Sequence, residues 1–177
     1  TNLEYLCLSR NKLSSLPSEI GQLINLEYLY LGSNQLNELP EEIGQLNNLK
    51  FLDLSNNLLE SFPLGITKLI KLKVLSLYDN KLINLPIEIG NLTNLQYLDL
   101  SENQLNQLPL DFGKLINLQE LCLEGNQLTS LPSEFGQLSN LKELNLIENE
   151  LIYLPAEFGK LSTLQKVYLG NNKLSTL

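Results

Sequence analysis

Among the side chains that could act as acids, bases or nucleophiles, the 177 residues include 20 aspartates and glutamates, seven tyrosines and two cysteines, but no histidine. Histidine is the usual general base and the commonest transition-metal ligand. The sequence also lacks a Gly-x-Ser-x-Gly nucleophile motif and a glycine-rich phosphate loop. We therefore expect a protein that is not an enzyme, with no catalytic residue, metal or cofactor.

The charge balance restricts the partners. Twelve basic residues against 20 acidic ones give a net charge of -8. Nucleic-acid binding requires clustered Lys and Arg to neutralise phosphates, so we expect a protein ligand, one with a basic patch, and no nucleic acid. No uninterrupted apolar stretch approaches the roughly 18–20 residues that cross a bilayer, so membrane insertion is not expected.

The elements that position these groups follow from a 23-residue repeat. Each unit reads L-x-x-L-x-L-x-x-N-x-L-x-x-L-P-x-x-I/F-G-x-L-x-x, and such periods are typical of solenoids. The asparagine of the unit recurs at Asn11, Asn34, Asn57, Asn80, Asn103, Asn126, Asn149 and Asn172.

Each repeat position has a physical role. The alternating x-L-x-L segment predicts a short strand with leucines pointing inward. The asparagine ends the strand and must bond backbone groups if it is buried, which predicts an asparagine ladder along the stack. Proline suits the first position of a helical turn, here a short and possibly 3₁₀ one. One unit cannot bury its apolar face alone, so the repeats must stack.

The repeat resembles the leucine-rich-repeat (LRR) family. Its LPxEIGxLxNLxxLxLxxNxL form is similar to the 23-residue class of plant intracellular Ras-group and animal Ras-scaffolding and cell-polarity proteins, and its GQLxNL phrasing is most similar to spirochaete, leptospiral-type members. The resemblance implies an α/β fold: a right-handed, horseshoe-shaped solenoid with about eight parallel strands on the concave side and short helical turns on the convex side. It also implies protein binding and, for the spirochaete group, export and contact with host molecules.

The repeats predict one domain over residues 1–177, with about 7.7 units and no evident capping unit. We expect a fragment of a longer array. Two alternatives stay open: a homodimer or self-assembling array joined through uncapped ends, and the recognition part of a larger multidomain protein.

The outward positions of the strands are free of the scaffold and are the candidate ligand site. We expect the concave face to bind through Tyr5, Tyr28, Tyr30, Phe51, Asp53, Tyr78, Tyr97, Asp99, Glu120 and Glu143. The aromatic residues from Tyr28 to Tyr97 are predicted to form one surface, since exposed aromatics are frequent interface anchors. The alternative is that aromatics are simply good strand formers.

Acidic residues would steer a basic partner to this face. Asp79 and Glu102 on adjacent repeats could share calcium, but calcium requires six to eight oxygens from a shaped loop, so no metal is expected. Cys7 and Cys122 lie five strands apart, too far for a disulfide. Free thiols favour a reducing compartment, whereas the resemblance suggests a secreted or cell-surface protein, so the localisation stays open.

Overall fold

A computed structural model describes residues 2–176, which contain eight parallel three-residue strands in one open sheet of order β1 to β8. The strands are Tyr5–Cys7, Tyr28–Tyr30, Phe51–Asp53, Val74–Ser76, Tyr97–Asp99, Glu120–Cys122, Glu143–Asn145 and Lys166–Tyr168, numbered β1 to β8. Each strand pairs with the next along the chain. The predicted solenoid is confirmed.

The register keeps equivalent repeat positions side by side. Leu29 pairs with Leu52, and Tyr30 pairs with Asp53. The central leucine of each strand from β2 to β7 is fully buried. Because the side chains flanking it point to the opposite face, the outward residues form two straight columns along the sheet.

Seven five-residue 3₁₀ helices form the return side of the described chain, as predicted. They are Ser18–Gln22, Glu41–Gln45, Leu64–Lys68, Ile87–Asn91, Leu110–Lys114, Ser133–Gln137 and Ala156–Lys160. The prolines were predicted at the first helical position, which was wrong by one residue. Pro17, for example, precedes its helix with an extended backbone (ψ 151°), and its carbonyl accepts the N–H of Ile20 at 3.1 Å.

The third return segment carries its glycine two positions early, at Gly65. Thr67 then stands in the usual glycine position, where it is buried and its Oγ1 donates to the carbonyl of Leu64 at 2.8 Å. A Cβ on Gly65 would lie 2.7 Å from Cγ2 of Ile43. The shifted glycine therefore admits a close approach of two return segments.

The asparagine of every repeat from the second onward joins two adjacent coils. Asn57 donates to the carbonyls of Leu31 and Leu54, both at 3.1 Å. Its Oδ1 accepts the N–H of Leu36 at 3.0 Å. The same arrangement recurs along the stack, and six of the eight asparagines are buried. Asn11 is exposed and Asn172 is half-buried, because each lies in a terminal coil of the described chain.

A residue with left-handed backbone conformation precedes each of these asparagines, a feature absent from the predictions made from the repeat. The eight residues with φ between 51° and 65° are Arg10, Ser33, Asn56, Asp79, Glu102, Gly125, Glu148 and Asn171. Glycine, asparagine and aspartate adopt this conformation most easily, and they occupy four of the eight positions. The frequency of glycine, asparagine and aspartate just before the repeat asparagine was the sequence pattern from which the left-handed conformation could have been predicted.

A second row of polar side chains along the edge where the strands begin was also missed. Asn48, Asn94, Asn117 and Asn140 each donate to a carbonyl 24 residues earlier at 2.8–2.9 Å. The Asn-Leu pair that opens six of the eight repeats was the sequence pattern from which this row could have been predicted. No helix within residues 2–176 is long and apolar enough to cross a membrane.

Candidate functional site

Nine of the ten predicted ligand-binding residues lie in the two outward columns of the sheet. The first column contains Tyr5, Tyr28, Phe51, Tyr97, Glu120 and Glu143, and the second contains Tyr30, Asp53 and Asp99. The tenth, Tyr78, lies two residues beyond β4 and is exposed. The repeat thus places the predicted residues on one face, but their contacts divide that face into two regions.

Four rings of β1 to β3 form a continuous cluster, which we call the ring cluster. Tyr30 packs between Tyr5 and Phe51, with ring centroids 5.1 and 4.6 Å apart. Tyr28 lies beside them, 6.3 Å from Tyr5 and 6.5 Å from Phe51. These are favourable aromatic spacings. Burial, followed by the neighbouring Tyr5, raises the pKa of the Tyr30 hydroxyl, so this group stays protonated at neutral pH.

The prediction of one aromatic surface reaching Tyr97 was wrong. Val74 and Ser76 occupy the outward positions of β4, between Phe51 and Tyr97 in the register. Within the described chain, ring contacts on this face end at Phe51, and neither Tyr78 nor Tyr97 contacts another ring. Two rings on this face can pack only when they lie on adjacent strands. One strand without an outward ring, here β4 with Val74 and Ser76, is therefore sufficient to end the cluster.

The region from β5 to β7, which we call the acidic region, begins with a group formed by Tyr97, Asp99 and Cys122. The Tyr97 hydroxyl donates to Oδ2 of Asp99 at 3.4 Å. Burial, followed by the Asp99 carboxylate, raises the pKa of Tyr97. The same two causes raise the pKa of the half-buried Cys122 thiol to about 11. The Tyr97 hydroxyl and the Cys122 thiol are therefore held in their protonated forms, which are poor nucleophiles.

Two of the predicted ligand-binding carboxylates also support the backbone. Oδ1 of Asp53 accepts the N–H of Ser55 at 2.9 Å, and Oδ1 of Asp99 accepts the N–H of Ser101 at 3.0 Å. Asn145 makes the same bond to Ile147 at 3.0 Å. Such bonds two residues along are turn-forming contacts. One oxygen of each aspartate is thus structural, and asparagine can replace it.

Other carboxylates of the acidic region are bound within the chain. Glu143 forms an ion pair with Lys166 at 2.8 Å. Glu124 accepts a hydrogen bond from Asn145 at 2.7 Å. Glu120 is exposed and has no such partner among residues 2–176. Of these three carboxylates, Glu143 is therefore neutralised by a cation, and Glu124 is hydrogen-bonded but keeps its charge.

A shallow depression of about 340 Å³, absent from the predictions made from the repeat, borders the ring cluster. It is lined by Ser9, Arg10, Gly32, Ser33, Asp53, Ser55 and Asn56. A Cβ on Gly32 would lie 2.6 Å from Oδ2 of Asp53 and 2.8 Å from Oγ of Ser55. The sequence feature that could have indicated it was a glycine at an outward position that six of the other repeats fill with serine, tyrosine, glutamate or isoleucine, and the last repeat with a second glycine.

Cys7 and Cys122 are both free, as predicted. Cys7 is exposed at the end of β1, and Cys122 is half-buried at the equivalent position of β6. The same repeat position thus gives two thiols with different surroundings.

Comparisons with known proteins agree with this geometry. A family model described as "leucine-rich repeat region" matches residues 1–80 and 64–176. An LRR protein of Leptospira interrogans has a similar structure, with a TM-score of 0.96 and 49% identity over 98% of this chain. Leptospira is a spirochaete, so this match agrees with the resemblance of the repeat to spirochaete, leptospiral-type proteins.

Two plant receptors are also similar. The LRR ectodomain of the Arabidopsis thaliana receptor kinase GASSHO1/SCHENGEN3, in complex with CASPARIAN STRIP INTEGRITY FACTOR 2, gives a TM-score of 0.82 and 31% identity. The peptide hormone receptor RGFR1, in complex with RGF2, gives 0.74 and 32%. Each match covers 98% of this chain. A search of curated proteins gave no significant match.

The chain spans only part of the proteins it matches. It covers 44% of the Leptospira chain, 25% of the GASSHO1/SCHENGEN3 chain and 33% of the RGFR1 chain.

Proposed function

Because the chain belongs to the leucine-rich-repeat family, we propose that it binds a protein ligand on the concave face of its sheet and catalyses no reaction. LRR domains are commonly protein-interaction modules. The observation that carries the proposal is the ring cluster, since its aromatic side chains lie on the outward face, where the scaffold does not require them.

The exposure of the ring cluster supports a binding role. Tyr5 is 55% exposed and Tyr28 is 38% exposed, although Leu29 behind Tyr28 is fully buried. Aromatic residues that a partner desolvates are frequent binding hot spots. The hydrogen-bonded sheet beneath holds the rings in place, so little conformational entropy would be lost when a ligand covers them.

The ligand is proposed to carry a basic patch. The described concave face has unpaired carboxylates at Glu120 and at one oxygen of Asp53, whereas Lys166 is paired with Glu143. A negative surface attracts basic partners over about one Debye length and repels acidic ones. The two plant receptors of similar fold are each in complex with a ligand, which supports binding as the role of this chain.

A quantitative pull-down tests the proposal. The wild type and a Tyr30→Ala/Phe51→Ala variant would be immobilised and exposed to the source cell's lysate and to a panel of extracellular host proteins. We expect the variant to bind the captured protein about 30-fold more weakly, which corresponds to about 2 kcal/mol. The affinity would be measured with the purified ligand. The source of that ligand would also separate an exported host-binding role from a role inside the cell.

The matched control is Ile87→Ala/Leu110→Ala, which removes exposed apolar side chains from the return side, where Ile87 is 53% and Leu110 is 60% exposed. This variant should keep wild-type affinity. Equal affinity of the ring-cluster variant and the wild type would contradict concave-face binding, provided that both unfold at the same denaturant concentration.

Self-assembly through the ends of the stack is a second candidate. The last coil presents an apolar cavity of about 550 Å³, lined by Leu154, Pro155, Ala156, Phe158, Gly159, Val167 and Leu169. A second copy could cover it, as could further coils of a longer protein. Light scattering that shows a dimer, together with its loss in a Val167→Glu variant, would support the first occupant. A monomer at every concentration would exclude it.

A third candidate is that the chain is the recognition part of a larger multidomain protein. The partial coverage of the matched proteins makes it testable by the sequence of the full-length gene. An adjoining catalytic domain would support it, and an open reading frame of LRR units alone would contradict it.

A further inference from the structure

The ring cluster lies next to a carboxylate with one oxygen free. Tyr30, the central ring of the cluster, is the register partner of Asp53 on the adjacent strand, and adjacent strands lie about 4.8 Å apart. Phe51, which packs on Tyr30 at 4.6 Å, precedes Asp53 by two residues. An aromatic surface and an anionic group therefore adjoin at one point of the concave face.

The free oxygen of Asp53 is accessible because of Gly32. Oδ1 holds the turn through the N–H of Ser55, and no donor within residues 2–176 bonds Oδ2. Oδ2 lies above the α-carbon of Gly32, where a Cβ would approach it to 2.6 Å. Any other residue at position 32 would displace this carboxylate, so the depression depends on the glycine.

No cation of the described chain neutralises Asp53. Lys50, the nearest lysine in sequence, forms an ion pair with Glu27 at 2.6 Å. Arg10 lines the same depression but forms no ion pair with Asp53 within 4.0 Å. The carboxylate therefore faces the concave surface without a cationic partner among residues 2–176, and only its Oδ1 is hydrogen-bonded.

We propose that the ring cluster, Asp53 and Gly32 form a subsite for an arginine side chain of the ligand. This inference rests on the proposed concave-face function and specifies the chemistry at one point of it. A guanidinium is planar, so it can stack on Tyr30 or Phe51 and donate to Oδ2 of Asp53. A lysine ammonium is more strongly hydrated and stacks less well.

The equivalent position in β5 lacks this combination. Asp99 occupies the column position of Asp53, but its Oδ2 accepts the hydroxyl of Tyr97. Its neighbours in the same column are Ser76 and Cys122 rather than a tyrosine. Asp99 is therefore a matched control for Asp53, because it is the same residue at the same repeat position without a tyrosine beside it in its column.

Nuclear magnetic resonance titration with three blocked tripeptides tests the subsite. The probes are acetyl-Gly-Arg-Gly-amide, its lysine analogue and its citrulline analogue, in which the side chain keeps its shape and loses its charge. We expect the arginine peptide to shift the signals of β1 to β3 and to bind at least fivefold more tightly than the citrulline peptide. Lysine should be intermediate.

The diagnostic variant is Asp53→Asn, because its Oδ1 can still accept the Ser55 N–H as Asn145 does with Ile147. It should remove the preference for arginine over citrulline without changing the midpoint of denaturation. Asp99→Asn should leave the preference intact. Arg10→Ala should strengthen arginine binding by about twofold, since it removes a like charge from the depression.

Equal binding of the arginine and citrulline peptides would overturn the inference, as would an unchanged preference in Asp53→Asn. Binding of a neutral oligosaccharide at the ring cluster, with no binding of the arginine peptide, would also overturn it and indicate a glycan site. If Tyr30→Ala/Phe51→Ala loses its protein ligand while Asp53→Asn keeps wild-type preferences, the concave-face function stands and only the subsite fails.

Discussion

The ring cluster and the acidic region occupy the same face, the same two columns and the same backbone, yet they satisfy their side chains differently. In the ring cluster, rings contact one another and remain partly exposed. In the acidic region, Tyr97 bonds Asp99, Asn145 bonds Glu124 and Lys166 pairs with Glu143. The rings of the first region remain available to a partner, whereas several polar groups of the second region are already bonded within the chain.

This difference shows that a repeat backbone fixes where an outward side chain lies and not what remains available to a ligand. Availability depends on the neighbours in adjacent repeats, because strand partners lie within contact distance. A surface rich in carboxylates is therefore a weaker indication of a binding site than a surface whose groups lack partners.

The largest effect is expected from breaking the scaffold between the two regions. Asn80, in the repeat that separates them, donates to the carbonyls of Leu54 and Leu77 and accepts the N–H of Leu59 at 3.0 Å. Asn80→Ala would leave these buried groups unpaired and should lower the free energy of unfolding by roughly 3–5 kcal/mol. Chemical denaturation measures this loss.

Asn84→Ala is the control for this prediction, because Asn84 is exposed in the same repeat and its loss should change stability little. Native-state hydrogen exchange would add whether the two regions then open separately, as a one-dimensional stack permits. Equal stabilities of the two variants would show that the asparagine bonds contribute little.

The reactivity of Cys7 and Cys122 compares the surroundings of one repeat position in β1 and in β6. The pKa of Cys122 is raised to about 11, so at pH 8 only about one thiol in a thousand is the reactive thiolate. Cys7 is exposed. We expect iodoacetamide to modify Cys7 at least about 100-fold faster than Cys122, as followed by mass spectrometry of peptides.

Raising the pH from 8 towards 11 should narrow the difference, because deprotonation of Cys122 increases as the pH approaches its pKa. Asp99→Asn should also accelerate modification of Cys122, since the Asp99 carboxylate is the second cause of its raised pKa. Equal rates for both cysteines at pH 8 would contradict the difference in environment.

The smallest effect is expected from joining the two regions. Val74 is half-buried between Phe51 and Tyr97 in the register. A Val74→Tyr substitution would extend the row of rings from Tyr28 to Tyr97 and should stabilise the protein by about 0.5–1 kcal/mol. Thermal unfolding measures the gain, and near-ultraviolet circular dichroism reports the new ring contacts.

Val74→Ile is the control for added apolar volume without a ring. A stability increase of the same size in both variants would show that volume, rather than ring packing, is responsible. A decrease in Val74→Tyr would show that the aliphatic strand is required between the regions.

The sequence alone determined the scaffold. A 23-residue period with alternating leucines permits only strands stacked in register, because any other register would expose the apolar side chains. It therefore predicted the eight strands, the 3₁₀ turns, the outward face and the free cysteines. The residues of the left-handed column and of the second polar row also recur in the repeat. Their roles could be assigned only from the backbone conformation and the hydrogen bonds.

Only the tertiary structure decided which outward groups have partners. Glu120 and Glu143 are the same residue in the same column, and the repeat does not show that Glu143 pairs with Lys166 while Glu120 is exposed without an ion pair among residues 2–176. The same holds for Tyr97, whose ring is separated from the ring cluster by one valine strand. These outcomes depend on side chains 21 to 25 residues apart in sequence that meet across adjacent coils, and contacts of a few ångströms are set by that packing rather than by the repeat.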